Sequence, residues 1–153
     1  MIRGEGTEVI QGVTLKEVVD FVLDPAQYTK ADTKIIWVTK IADTPDGMIG
    51  LEEGRFFGFK GSVVSRYRWT PDMKHIEVTL VHGMLKSLNA TFDFVEAGGG
   101  VKIHHVEEIE MAGGPFGRLF EIAVARSWLE RSVPQEVREI KRLMEAGERG
   151  KGP

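Results

Sequence analysis

The sequence predicts an α+β domain in which a curled antiparallel sheet of about seven strands closes over one long C-terminal helix. Three observations predict it. Between Lys34 and Met111 apolar residues recur with a period of two, in segments joined by short turn signals. From Pro115 to Ala146 the period becomes helical and stays so. Little else in the chain could cover the sheet's apolar face, so that helix must do it.

The elements follow in order. Thr7 to Gly12 is a short β-prone run. Thr14 is placed to cap a helix, with Glu17 at capping-box spacing. Leu15, Val18, Val19, Val22 and Leu23 then repeat at helical spacing until Pro25, and a second short helix is expected from Pro25 to Ala31. Six strands follow at about 34–42, 48–56, 57–69, 74–84, 87–96 and 101–111. Thr44-Pro45-Asp46-Gly47, Thr70-Pro71-Asp72 and Gly98-Gly99-Gly100 are turns between them. Connections so short join antiparallel neighbours, which makes a meander and not a βαβ array.

The final helix carries Phe116, Leu119, Phe120, Ala123, Val124, Trp128, Val133, Val137, Ile140 and Met144 as one stripe. Glu121, Glu130, Glu136, Arg138 and Arg142 are among the charges assigned to its other side. Such a helix would run about 45 Å at 1.5 Å per residue, with Pro134 expected to kink it. Residues 1–146 read as one ligand-binding domain and 147–153 as a frayed tail.

Strand parity assigns an inner face. Phe57, Phe59, Val63, Ser65, Tyr67 and Trp69 share one side of their strand, and Ile76, Val78, Leu80, His82 and Met84 share one side of the next. Leu88, Ala90, Phe92 and Phe94 follow, then Val101, Ile103, His105, Glu107 and Ile109. A dry core is one reading of this face. Ser65, Tyr67, His82, His105 and Glu107 lie among the aromatics, however, and buried polar groups need partners. That pattern favours a hydrated cavity with a few polar groups in an apolar lining. The predicted ligand-binding set is Tyr28, Trp37, Phe59, Ser65, Tyr67, Trp69, Leu80, His82, Phe92, Phe94, Ile103 and His105, with Phe120, Val124 and Trp128 from the helix.

Composition excludes several functions. The 153 residues are 42% apolar and 28% charged, with 20 basic and 23 acidic residues, so no basic excess points to nucleic acid. With no cysteine, disulfides, thiolate metal sites and cysteine nucleophiles are excluded. No apolar run reaches the roughly 18 residues of a membrane span, and Met1 to Glu5 lacks a signal-peptide core. A cytoplasmic monomer or homodimer is the expectation.

Val18-Val19-Asp20-Phe21-Val22-Leu23-Asp24-Pro25-Ala26-Gln27-Tyr28 near the start carries a resemblance. So does Gly113-Gly114-Pro115-Phe116-Gly117, leading into a helix that ends Ile140-Lys141-Arg142-Leu143-Met144-Glu145. In these segments and in element order the chain resembles the START-like (SRPBCC) superfamily, and within it bacterial polyketide cyclase/dehydrase-type domains. The resemblance implies the helix-grip fold and a cavity for a small hydrophobic molecule; some such proteins are enzymes. Aromatic polyketide cyclases carry an inward arginine where this chain has Trp69. Their first-helix aromatic is matched by Tyr28, and His105 replaces the one on the last strand.

Candidate chemistry is sparse. His104 and His105 point to opposite faces of a strand and cannot share one ion, and no helical H-E-x-x-H is present, so neither metal nor cofactor is expected. His105 and Glu107 share a face and could act as an acid/base pair, with Tyr67 as donor. No pair of inward carboxylates is evident. The glycines at 98–100 lack the strand-to-helix context of a phosphate loop. The leading expectation is binding or transport of a polyketide-like, lipid or isoprenoid ligand. A cyclase or dehydratase using His105 and Glu107 is the alternative, and a regulatory protein acting through the outer helix face is the third.

Overall fold

The computed structural model describes every residue of the chain except Phe57. The expectation for Phe57 therefore lies outside the described residues. Seven strands, β1 (Ile2–Gln11), β2 (Ile35–Thr44), β3 (Gly47–Phe56), β4 (Phe59–Trp69), β5 (His75–Gly83), β6 (Leu85–Ala97) and β7 (Gly100–Met111), form one sheet. Its order is β1-β7-β6-β5-β4-β3-β2, with every neighbouring pair antiparallel. The meander was expected; β1 is longer than the run at 7–12 and pairs over its whole length with β7.

Helices α1 (Leu15–Leu23) and α2 (Pro25–Ala31) link the two edge strands β1 and β2. The Thr14 side chain accepts from the Glu17 N–H at 3.3 Å, and Glu17 Oε2 accepts from the Thr14 N–H at 2.8 Å, which is the predicted capping box. Asp24 caps α2 by accepting from Ala26 N–H at 3.0 Å, with Pro25 at the first helical position.

The C-terminal helix is built in three parts: α3 (Gly114–Phe120), a π-helical turn (Glu121–Ala125) and α4 (Arg126–Glu145). The π turn corrects the predicted stripe. Closing i to i+5 adds a residue to the turn, and one residue rotates the helix face by about 100°. Phe116, Leu119, Ile122 and Val124 are thereby left exposed, while Ala125, Leu129 and Val133 are buried. Glu121 turns inward and accepts from the Met111 N–H at 2.6 Å and from the Met1 ammonium at 3.0 Å.

Helix α4 buries Leu129, Val133, Glu136, Val137, Ile140 and Met144 against the sheet. Strand β1 lies almost on its backbone. A Cβ at Gly4 would stand 2.5 Å from the Leu129 carbonyl oxygen, and one at Gly6 would stand 2.8 Å from Pro134 Cα. Residues 147–153 lie against α1: the Gly152 N–H donates to the Asp20 carbonyl at 3.1 Å, and the Lys151 N–H donates to Asp24 Oδ2 at 2.8 Å.

The core falls into two clusters. Ile10, Phe21, Ile76, Phe92, Phe94, Ile103, Val137 and Ile140 belong to the larger, packed with α1. Ile2, Val63, Leu85, Ile109, Ala125, Leu129 and Val133 form the smaller, nearer the π turn. No helix among the described residues is long and apolar enough to cross a membrane.

Candidate functional site

A cavity opens between the inner face of the sheet and helices α1 and α2. Its free interior is about 70 Å³, and the atom-free space reaches about 760 Å³ once the open mouth is counted. Val22, Leu23, Val38, Met48, Phe56, Ile76, Val78, Leu88, Ala90 and Phe92 make the lining mainly apolar. Tyr28, Asp32, Lys34, Glu52, Tyr67, His105 and Glu107 supply its polar groups.

The polar end is organised around Lys34. Asp32 ends α2, and its Oδ1 accepts from the Lys34 backbone N–H at 2.8 Å, fixing the turn into β2. That turn sends the Lys34 side chain inward, where it is 3% exposed. Its ammonium lies 2.7 Å from Glu136 Oε2, 3.2 Å from Glu107 Oε2 and 3.2 Å from Asp32 Oδ1. An ammonium has three donors and no acceptor. Three carboxylates from three parts of the chain surround it.

Around this centre the aromatics are fixed as well. Tyr28 donates to Glu136 Oε1 and meets Phe92 edge-on, ring centroids 6.1 Å apart. His105 stacks on Phe92 at 3.8 Å and is 1% exposed. Its Nδ1 stands 2.9 Å from the Thr91 carbonyl oxygen, which can only accept, so Nδ1 carries the proton. His105 Nε2 makes no hydrogen bond and lies 3.4 Å from Glu136 Oε1. Near this cluster, Tyr67 donates to Glu52 Oε1 at 2.7 Å.

Burial governs the protonation of these groups. It raises the Glu52 carboxyl to about 7, against the opposing hydrogen bond from Tyr67. Burial also raises Asp32, with Lys34 opposing and Glu136 reinforcing the shift. For Lys34 burial works downward, but Asp32, Glu107 and Glu136 outweigh it and hold the ammonium well above the ordinary lysine range. Tyr28 and Tyr67 are raised by burial and then by their carboxylate neighbours, so both remain neutral donors.

Of the predicted ligand-binding residues, Tyr28, Tyr67, Phe92 and His105 line the cavity. Ser65 is buried on the same face, and Phe94 and Ile103 lie in the large core cluster, with Trp69 packed against it. Leu80, Phe120 and Trp128 pack instead against the smaller cluster. Four residues are misplaced by the sequence. His82 is exposed because a bulge separates the Val64/His82 and Ser65/Leu80 pairs, which reverses parity beyond Leu80. Trp37 is 45% exposed because a bulge between Ile35 and Trp37 sets it opposite the exposed Glu53. Phe59, 70% exposed, pairs with Phe56 at the turn end of the β3–β4 hairpin. Val124 is turned out by the π turn. Of the candidate acid/base set, Tyr67, His105 and Glu107 all line the cavity, but Glu107 is held by Lys34.

The sequence missed Asp32, Lys34, Glu52 and Glu136, and with them the inward carboxylates. Glu136 was placed on the solvent side of the helix, yet it is 2% exposed. The signal was present: Glu136 stands three residues after Val133 and four before Ile140, on the buried stripe. Glu52 shares strand parity with Met48 and Phe56. Among the described residues, His105, Glu107 and Glu136 could each offer one metal-ligating atom, all within 4.8 Å of one another. The Lys34 ammonium already stands against both carboxylates and supplies a cation there.

No protein-family model matches the sequence, and no curated protein matches it. Solved structures do match. The protein TTHA0849 from Thermus thermophilus superposes with a TM-score of 0.80 at 13% identity, covering 95% of this chain and 99% of that one. A START superfamily protein from Mycobacterium smegmatis follows at 0.69 and 14% identity, covering 94% of each chain. The fold is START-like. The ZhuI aromatase/cyclase from Streptomyces sp. R1128 matches at 0.64 and 12% identity, covering 95% of this chain and 97% of that one. At such identities the likeness speaks for the START-like fold; function must be argued from the site.

Proposed function

We propose that the protein binds one small, largely apolar molecule in the cavity between sheet and helices, with the polar cluster orienting it. The observation that carries this reading is the composition of the wall: ionisable side chains at one end of a lining otherwise built from aliphatic and aromatic groups. Buried charges rarely contribute net stability, whereas convergent polar groups in an apolar pocket are the usual form of a small-molecule site. The free interior exceeds several-fold the roughly 10–15 Å³ that a single water needs, and a longer ligand would also use the space toward the mouth.

A second reading, acid/base chemistry on the bound molecule, is favoured by Glu52. A carboxyl near neutrality beside a tyrosine hydroxyl suits proton transfer at physiological pH. It displaces Glu107 as the candidate base, because Glu107 is committed to Lys34.

Native mass spectrometry of freshly purified protein, together with titration of a neutral naphthyl fluorophore, tests the binding reading. One bound molecule per chain, or saturable one-to-one binding, is expected. A protein that carries nothing and binds no apolar probe refutes it.

A further inference from the structure

Four carboxyl groups, Asp32, Glu52, Glu107 and Glu136, are buried in or beside one end of the cavity with a single ammonium, Lys34. Lys34 would be the natural partner for an anionic or carbonyl ligand, as its charge and donors would otherwise face the cavity. Its ammonium donates to Glu136 at 2.7 Å and stands 3.2 Å from both Asp32 and Glu107, so its charge is met on three sides. An incoming anion would meet a surplus of negative groups around Lys34.

His105 adds an independent observation. Its Nδ1–H is spent on the Thr91 carbonyl, so in the neutral ring Nε2 presents a lone pair. That atom is buried, makes no hydrogen bond, and lies 3.4 Å from Glu136 Oε1, another acceptor. The neutral ring thus brings an unpartnered acceptor, and no free donor, to this end of the cavity. The walls meanwhile carry the aromatic rings of Tyr28, Phe56 and Tyr67, and aromatic faces attract cations.

We infer that the polar end of this cavity takes a hydrogen-bond-donating cation, the ammonium group of an otherwise apolar amine. The inference rests on the proposed binding function and specifies its ligand class. Glu52 is the carboxyl available for the pairing: Tyr67 donates to it at 2.7 Å, and among the described residues no cation is paired with it. Below neutrality Glu52 holds a proton. Binding is then an exchange: the protonated amine enters as R–NH3⁺, Glu52 becomes a carboxylate, and its proton leaves to solvent. The ionisable groups that face Glu52 are Tyr67 on β4, Glu107 on β7 and Asp32 beside Lys34; Glu107 and Asp32 favour its protonated form.

The test compares naphthylmethylamine, naphthylmethanol and naphthoic acid, which share one ring system, by isothermal titration calorimetry in buffers of different ionisation enthalpy. The amine is expected to bind about tenfold or more tightly than the alcohol, the yield of one charge-assisted hydrogen bond, and the acid weakest. Amine affinity should rise by up to about tenfold per pH unit toward neutrality and level off above about pH 7, with one proton released per amine below that point. In Glu52→Gln the amine-to-alcohol ratio should fall to within about threefold and the proton release should vanish. If the alcohol or the acid binds as well as the amine, the ligand class is wrong while the binding function stands. Binding of none of the three overturns both. Should the variant fail to fold, the wild-type pH profile and proton count decide alone: pH-independent amine binding without proton release overturns the inference.

Discussion

Replacing Lys34 with methionine keeps the stem of the side chain and deletes its charge, which isolates what the ammonium does. In the native protein it stands 2.7–3.2 Å from three carboxylates and is 3% exposed. Removing one member of a buried ionic cluster leaves the others desolvated and unpaired, at a cost of about 3–5 kcal/mol. Against a total stability of about 5–15 kcal/mol, that is a large share. The loss must also depend on pH, and its sign is fixed. Without Lys34, the orphaned acids are relieved by protonation, so the deficit is largest above neutrality and shrinks as the pH falls. Urea denaturation of Lys34→Met and wild type, read by tryptophan fluorescence, should give a deficit of about 3–5 kcal/mol near pH 8 and at most half of it near pH 5. Adding Glu136→Gln, which neutralises the nearest carboxylate, should recover part of the deficit. A deficit below about 1 kcal/mol at both pH values, or one equal at both, would mean that Lys34 is not the electrostatic centre of the cluster.

Two further outcomes follow from named contacts. In wild type, Glu52 keeps its proton to about 7 when folded but ionises around 4.5 when unfolded, so its contribution is present at acid pH and lost as pH rises between those values, by up to about 3 kcal/mol. Glutamine cannot titrate; the stability of wild type relative to Glu52→Gln should therefore fall across that window, and parallel pH–stability curves would contradict the shift. Thr14→Ala removes the side-chain half of the capping box and should lower the denaturation free energy by about 1 kcal/mol; an unchanged midpoint would show that the cap adds nothing to stability.

The parts of the fold that were legible in the sequence are those with local causes. Thr14 and Glu17 announce the first helix because both halves of the cap lie within four residues. Alternation along β7 placed His105 and Glu107 inward because no irregularity interrupts the pairing of that strand with β1. Parity failed where a bulge intervened, ahead of Trp37 and beyond Leu80, since an inserted residue leaves no mark in the hydrophobic pattern. The π turn hid itself in the same way. Glu136 was overlooked for a different reason: its place on the buried stripe was legible, but the partner that makes its burial tolerable, Lys34, lies 102 residues earlier. Glu52 was hidden by Gly50 and Gly54 on either side, which carry no hydrophobic signal although both are buried.

Stability alone does not account for this cluster. Well-packed apolar residues of similar volume often replace a buried ionic group at no loss, and sometimes with a gain. What apolar residues cannot supply is direction. Lys34 comes from the turn between α2 and β2, Glu107 from β7 and Glu136 from α4, so three separate elements meet at one charge cluster beside the cavity. A hydrogen-bonded charge cluster joining those elements fixes α4 and the α2–β2 turn relative to the sheet at one register. Its positive charge is matched internally by three carboxylates, so the ionisable chemistry left to the cavity is acidic, Glu52 with Tyr67. The same interactions that join the elements therefore set the charge preference of the cavity beside them. Neutralising Lys34 should alter both together, whereas Glu52→Gln should alter the charge preference and leave the elements joined.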